Sequence, residues 1–434
     1  MLVRLTLWIC KFIRWILVKM GRGGSLPGNI ALKMCPSILS YIKYPEIVVM
    51  VSGTNGKTTT SNMIYEVLNK KYDKVIGNRR GDNMKAGIAT LILANTKMNL
   101  CVKADAIVIE IDELNVPKVI DEVKVSQFVI TNFFRDQLDR AGEMENIVSK
   151  IENALSKYQG ELILNGDDPN VARLGYHREN TYYFSVGKNE ESHQESKEAS
   201  EGKFCFHCNA PLTYEYYQYS HIGKFHCPTC DFGNYEAYLC AKDISLNDSS
   251  FVVEERTFHA PQDALFSVYN CMAVISVAKR LQIDFELVAT VLASFELKDG
   301  RMENFDIGRD CLLNLVKNPT GANETMKYIE RDREAKDIVI VLNDNDQDGT
   351  DVSWIWDANF ELIMQEDVKH IICSGLRAYD MALRLKYTNY EGEIIVKVDP
   401  DEAIKCLKDF DEHAYVIATY TALQPMRATL RRNA

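Results

Sequence analysis

The run Gly53–Thr60, GTNGKTTT, joins an apolar β-branched segment to a segment with helical spacing. That is the context a phosphate cradle requires. Backbone N–H groups at a helix start bind anions, Lys57 brings a positive charge toward β- and γ-phosphates, and the Thr58 hydroxyl is placed to ligate Mg²⁺. The common NTPase pattern GxxxxGK[ST] would need glycine at position 51, where this chain has Val51, so the loop is a shortened variant. A Mg²⁺ site needs a further ligand. Glu110, near the end of the strand-like run VIEIDE (108–113), is the expected one, because ligands in open α/β sheets gather beyond the carboxyl ends of the strands. Asp112 and Glu113 are the competing carboxylates.

A second constellation is Cys205-x-x-Cys208 and Cys227-x-x-Cys230, two knuckles at the spacing of a Cys₄ zinc ribbon. Four thiolates would close the Zn²⁺ shell and leave no open position, so the expected role is structural. His207, His221 and His226 are not expected as ligands. Two pairs at ribbon spacing favour metal over a redox dithiol. The insertion is rich in Tyr and poor in Arg, which argues against nucleic acid.

The elements that would position these residues read as follows. EIVVMVS before the loop is a strand, and TSNMIYEVLNK after it a helix. ADAIVIEID (104–112), SQFVITNF (126–133) and GELILNGDD (160–168) are further strands, alternating with helical patterns such as ENIVSKIENAL (145–155). Strands alternating with helices imply a doubly wound α/β sheet. Residues 190–201 read as a solvated acidic loop, and a long helix starts near 265. After GRMENF (300–305) a second set of strand-like runs follows, giving a smaller C-terminal α/β domain. The expected boundaries are a basic N-terminal segment 1–44, a central ATP-binding domain 45–302 with the ribbon at about 202–240, and a C-terminal domain 303–434.

Composition agrees. Hydrophobic residues at 46% and charged residues at 26% exclude disordered and fibrous classes. Twelve cysteines in 434 residues are too sparse for a disulfide scaffold and fit a reducing cytosol with one metal site. A net charge of −11 argues against a broad nucleic-acid surface. The charge is uneven: residues 1–45 carry seven basic residues and no acidic one. Residues 2–18 are apolar but broken by Arg4, Lys11 and Arg14, too short and too charged to span a bilayer and lacking a signal peptide's unbroken core. They predict an amphipathic helix whose three cations fall within about 80° of one another. Such a helix either packs its apolar side on the protein body or lies on an anionic membrane.

With TNFFRDQLDR (131–140), the loop GTNGKTTT resembles the Mur ligase superfamily, the ATP-dependent ligases of peptidoglycan assembly and folate polyglutamylation. SLPGNIALK (25–33), the four-cysteine insertion, KNPTGAN (317–323) and DNDQDGTDVSWIWDANFE (344–361) are similar to its MurT family, the ligase-like subunits of lipid II isoglutaminyl synthase. The resemblance covers nearly the whole chain. It implies a Mur-ligase-like central domain that binds ATP through Gly53, Thr54, Asn55, Gly56, Lys57, Thr58 and Thr59. Asn270 would lie beside the nucleotide, and Arg301 would be the linker arginine that reaches its phosphates.

The implied activity is amidation of the α-carboxylate of D-glutamate in the lipid II stem peptide. ATP would activate the carboxylate as an acyl phosphate, with ammonia from glutamine supplied by a GatD glutaminase subunit. Asp351 resembles the aspartate that completes the glutaminase's Cys–His pair, with Asp348 and Asp357 as alternatives. Gln137 stands where family ligases often have His, and Lys150 sits near the place of a carbamylated lysine. The implied location is cytoplasmic, with peripheral contact at the inner face of the membrane. The competing readings are a ligase that adds a whole amino acid and a non-catalytic nucleotide-gated scaffold.

Overall fold

The computed structural model describes residues 1–20, 24–79, 82–135, 144–196, 202–297, 300–388 and 390–433. Of RDQLD, only Arg135 is described; Gln137 and its neighbours at 136–143 lie outside the described residues. Two compact units emerge. The first comprises the described residues of 1–134, 144–196 and 200–295, and the second is built on those of 296–434.

The first unit is organised on a nine-stranded sheet. Its strands are β1 (Ile47–Ser52), β2 (Val75–Gly77), β3 (Ala106–Glu110), β4 (Gln127–Ile130), β5 (Glu161–Asn165), β6 (Thr181–Val186), β9 (Leu239–Ser245), β10 (Ser250–Val253) and β11 (Arg256–His259). They lie in the order β11-β10-β9-β6-β5-β4-β1-β3-β2. The seven strands from β9 to β2 are parallel, and β10 and β11 add an antiparallel edge. The apolar runs read as strands are β1, β3, β4 and β5. In β1, Val48, Val49, Met50 and Val51 are all buried, as befits a parallel strand covered on both faces. One face packs on α3 (Lys57–Lys71), which contributes Met63, Ile64, Val67 and Leu68, and on the helix Leu265–Arg280, buried along most of its length.

The N-terminal segment forms α1 (Leu2–Lys19) and α2 (Leu26–Met34), which pack with α4 (Lys85–Asn95). Only a narrow side of α1 is fully covered, at Thr6, Leu7 and Cys10. Among the described residues no helix is long and apolar enough to cross a membrane.

The four-cysteine insertion carries a two-stranded antiparallel hairpin, β7 (Thr213–Tyr219) and β8 (Ile222–His226). Tyr219 and Ile222 at its tip join the main core, while Phe225 and Phe232 form a small core with Cys205 and Cys227. The second unit holds a six-stranded sheet of β12 (Glu303–Asp306), β13 (Asp310–Leu315), β14 (Lys336–Val341), β15 (Val368–Ser374), β16 (Glu393–Val396) and β17 (His413–Ala418). Its order is β12-β13-β17-β14-β15-β16, parallel except for the β12–β13 hairpin, with a separate apolar cluster on each face.

Candidate functional site

The chain leaves β1 at Ser52 and enters α3 at Lys57, so the loop between them sits at the carboxyl end of a central strand. Gly53 and Gly56 have φ of +126° and +81°. A side chain at either would also meet close neighbours: a Cβ at 53 would lie 2.2 Å from Thr131 Oγ1, and one at 56 would lie 2.2 Å from Asn270 Oδ1. Only glycine fits both demands.

The end of β4 fixes the loop's shape. Thr54 N–H donates to the Asn132 carbonyl at 2.8 Å, and Asn55 N–H donates to Asn132 Oδ1 at 2.8 Å. Thr131 Oγ1 and Asn132 Nδ2 donate to the Asn55 carbonyl at 2.8 and 3.1 Å. Thr54 Oγ1 bridges to Phe134, donating to its carbonyl and accepting from its N–H. The TNFF run is therefore the brace of the loop.

Lys57 is buried, and its Nζ lies among the Gly53 carbonyl, the Thr54 carbonyl at 3.0 Å and Glu113 Oε2 at 3.2 Å. Asn270, from the helix Leu265–Arg280, accepts at Oδ1 from Thr60 Oγ1 at 3.2 Å and so touches the first turn of α3. The structure thus brings together Gly53, Gly56, Lys57 and Asn270, four of the residues singled out from sequence. Thr58 and Thr59, half-buried, continue the same turn.

The three candidate carboxylates separate by environment. Asp112 caps the short turn that follows it, accepting from Leu114 N–H at 3.1 Å. Glu113 pairs with Lys57. Glu110 is buried; its Oε1 accepts from Asn83 Nδ2 at 3.0 Å, and its Oε2 has no partner among the described residues. A buried carboxylate oxygen without a partner suits a cation. Sequence spacing did not reveal the Glu113–Lys57 pair, nor the bracing by Thr131, Asn132 and Asn83. The polar Thr-Asn pair directly after a buried apolar strand was the available signal.

Cys205, Cys208, Cys227 and Cys230 converge with all four sulfurs within 4.8 Å of one another. The Cys205–Cys230 and Cys208–Cys227 separations are 3.6 and 3.4 Å. Zn–S bonds of about 2.3 Å in a tetrahedron place sulfurs about 3.8 Å apart, so the cluster fits one zinc ion. Burial pushes the Cys227 thiol up, but the N–H groups of Thr229 and Cys230 and the Cys208 thiol outweigh it and bring it down to about 7. His207, His221 and His226 are not in the cluster.

Arg301 lies in the second unit, half-buried and partnered. Lys150 is exposed on the helix Met144–Leu155. In the acidic loop, Asp348 is buried and engaged: Oδ1 accepts from Thr421 N–H at 2.7 Å, and Oδ2 is hydrogen-bonded to Thr421 Oγ1. Asp351 is exposed, its Oδ1 accepting from Ser353 N–H at 2.8 Å, and the Ser353 backbone and side chain hold its carboxyl below the usual range. Asp357 is also exposed. Ile355 and Phe360 anchor this segment in the core of the second unit.

A Mur ligase middle-domain model matches residues 51–227, and a MurT ligase C-terminal model matches 315–423. A Staphylococcus aureus (strain COL) protein, lipid II isoglutaminyl synthase (glutamine-hydrolyzing) subunit MurT, is 35% identical over 95% of this chain and 94% of its own. The subunit of the same name from Streptococcus pneumoniae (strain ATCC BAA-255 / R6) is 34% identical over 96% and 94%. Among solved structures, a pseudomurein peptide ligase type C from Methanothermus fervidus superposes with a TM-score of 0.71 at 22% identity, covering 92% of this chain and 80% of that one. MurF from Acinetobacter baumannii gives 0.66 at 16% identity, covering 93% and 80%. These structural likenesses establish a Mur-ligase-like fold.

Proposed function

Since the chain belongs to the MurT family of Mur-ligase-like subunits, we propose that it is the ligase subunit that amidates the D-glutamate α-carboxylate of lipid II to D-isoglutamine. The observation that carries this reading is the braced loop with buried Lys57, in one chain with a C-terminal unit that the MurT C-terminal model matches over residues 315–423. A carboxylate is a poor electrophile, so ATP would convert it to an acyl phosphate before ammonia attacks the acyl carbon.

ATP would be held by Gly53, Thr54, Asn55, Gly56, Lys57, Thr58 and Thr59, with Asn270 and Arg301. The amides of Thr54 and Asn55 are engaged with Asn132, so the amides that open α3 would meet the phosphates. Lys57 would neutralise charge on the transferring phosphoryl group. Thr58 and Glu110 would hold Mg²⁺, which supplies further neutralisation when bound. Zinc at the four cysteines would be structural. The domains would divide at about residues 44 and 302.

Ammonia would come from a GatD-type glutamine amidotransferase in a heterodimer with this chain. Asp351 would orient the glutaminase histidine and stabilise its protonated form. Asp348 is the weaker candidate because Thr421 already holds it, and Asp357 is the remaining alternative. The reaction would run in the cytoplasm, at the inner face of the cell membrane where a lipid-linked substrate resides, and it involves no nucleic acid. The test is mass spectrometry of lipid II after incubation with this protein, the glutaminase subunit, ATP and glutamine. A product lighter by about one mass unit, OH replaced by NH₂, supports the reading. Unchanged lipid II with an intact complex overturns it.

A further inference from the structure

Among the described residues, the outer face of α1 is unpartnered and apolar. Leu2, Leu5, Trp8, Phe12, Trp15 and Ile16 are each between 37% and 55% exposed, while Leu7 and Cys10 on the opposite side are fully buried. The helix is thus seated on α2 and α4 by one stripe and presents another outward. Trp8, Phe12 and Trp15 form a row, with ring centroids 5.4 and 6.2 Å apart and nearly parallel planes. Three half-exposed aromatic side chains alone offer on the order of 300 Å² of apolar surface. That approaches the largest apolar patch a soluble monomer usually tolerates, before the aliphatic neighbours are added.

The charge around this face has one sign. Arg4, Arg14 and Lys19 are exposed, Lys19 Nζ stands 4.0 Å from the centre of the Trp15 ring, and residues 1–45 contain no acidic side chain. Lys11 turns inward and donates to the Ala94 carbonyl at 3.3 Å. Aromatic rings between cations are the composition that settles at headgroup depth in an anionic bilayer. A second copy of the same face would bring cation against cation with nothing to neutralise them, which disfavours a symmetric dimer. The helix is not of the kind that crosses the bilayer.

We propose that α1 is a membrane-docking element that lies on an anionic phospholipid surface with Trp8, Phe12 and Trp15 entering the interfacial layer and Arg4, Arg14 and Lys19 meeting the headgroup phosphates. The proposal rests on the function above only for its setting, a substrate carried in the same membrane. The test is flotation of the full chain with vesicles of phosphatidylcholine containing one-third phosphatidylglycerol, compared with phosphatidylcholine alone. The parent floats with the anionic vesicles. Trp8→Ser/Trp15→Ser and, separately, Arg4→Gln/Arg14→Gln each reduce the floated fraction by about tenfold or more, with an unchanged melting temperature because the altered side chains are exposed.

A parent that stays at the bottom of the gradient, or a tryptophan variant that floats like the parent, overturns the proposal. So does a concentration-dependent dimer that the tryptophan variant dissolves, in a protein that ignores vesicles. Amidation of lipid II in detergent micelles separates the two readings. Parent that amidates in micelles but does not float refutes the docking alone. Parent that floats but amidates nothing refutes the function alone.

Discussion

Gly56→Ala tests the architecture of the loop at one atom. Gly56 has φ +81°, where an L side chain costs about 1–2 kcal/mol. Its new Cβ would lie 2.2 Å from Asn270 Oδ1, so the Asn270 side chain has to move. Asn270 is buried and its Oδ1 accepts from Thr60; breaking that bond adds about 1 kcal/mol. A total of about 2–3 kcal/mol against the native loop lowers ATP affinity roughly 30- to 150-fold, because the competent shape becomes a minor population. Calorimetric titration with ATP and Mg²⁺ reads this directly. Gly308→Ala is the control: φ is +88° there and nothing lies within 4 Å of the added carbon, so only conformational strain enters and nucleotide affinity stays within about twofold. If Gly56→Ala binds ATP within about threefold of the parent, the loop is not held as described and its assignment as the phosphate cradle falls.

Lys57→Ala should leave the fold intact and reduce amidation by about 10²–10³-fold or more; near-normal turnover in the mass-spectrometric assay would remove Lys57 from the site. Cys227→Ser should lower zinc from about one ion per chain and destabilise the insertion, because metal binding supplies folding free energy to such modules; metal analysis of the purified parent that finds no zinc would refute this. Asp351→Asn should cripple glutamine-dependent amidation while high ammonium partly restores product; normal glutamine hydrolysis by the mutant complex would clear Asp351 of the role. Burial pushes the Asp167 carboxyl up to about 7, against hydrogen bonds from Val186 N–H and Tyr269 Oη. Its folded pKa lies above its unfolded one, so its contribution to stability is complete below about pH 4 and is lost as pH rises through 7. Asp167→Asn should flatten the stability profile in that window, and chemical denaturation at several pH values would show a persisting slope if another group is responsible.

What the sequence displayed and what it hid follow from periodicity. The strand–loop–helix around Gly53–Thr60 was legible because β1 is apolar on both faces and the glycines interrupt it where the chain must turn. The convergence of the four cysteines was legible because two C-x-x-C pairs at ribbon spacing stand out along the chain. The two edge strands β10 and β11 were not, since SFVV and RTFH are short and carry no continuous apolar run. Glu113 was only one of three neighbouring carboxylates, because pairing with Lys57 is set by how β3 and β1 register, a long-range property. For α1, angular spacing located the cations but not the buried stripe. The helix is apolar nearly all round, and the seats on α2 and α4 decide which arc is covered.

The four-cysteine insertion has a topological meaning beyond its cysteine cluster. It joins β6 to β9, which pair directly, Phe184 opposite Leu239, and run parallel. Parallel neighbours cannot be linked by a tight turn; the chain has to travel back along the strand, and elsewhere in such sheets a helix makes that journey. Here the ribbon makes it. Gln218 Nε2 donates to the Val186 and Gly187 carbonyls at 3.1 and 3.0 Å, and Gly223 N–H donates to the Asp167 carbonyl at 2.9 Å, clamping the returning chain to the sheet. The module is a bridge in the chain's path and not an ornament on its surface. It cannot be trimmed to a short hairpin, and stripping its thiols would loosen the join between the β2–β6 half of the sheet and the strands β9–β11 beyond it.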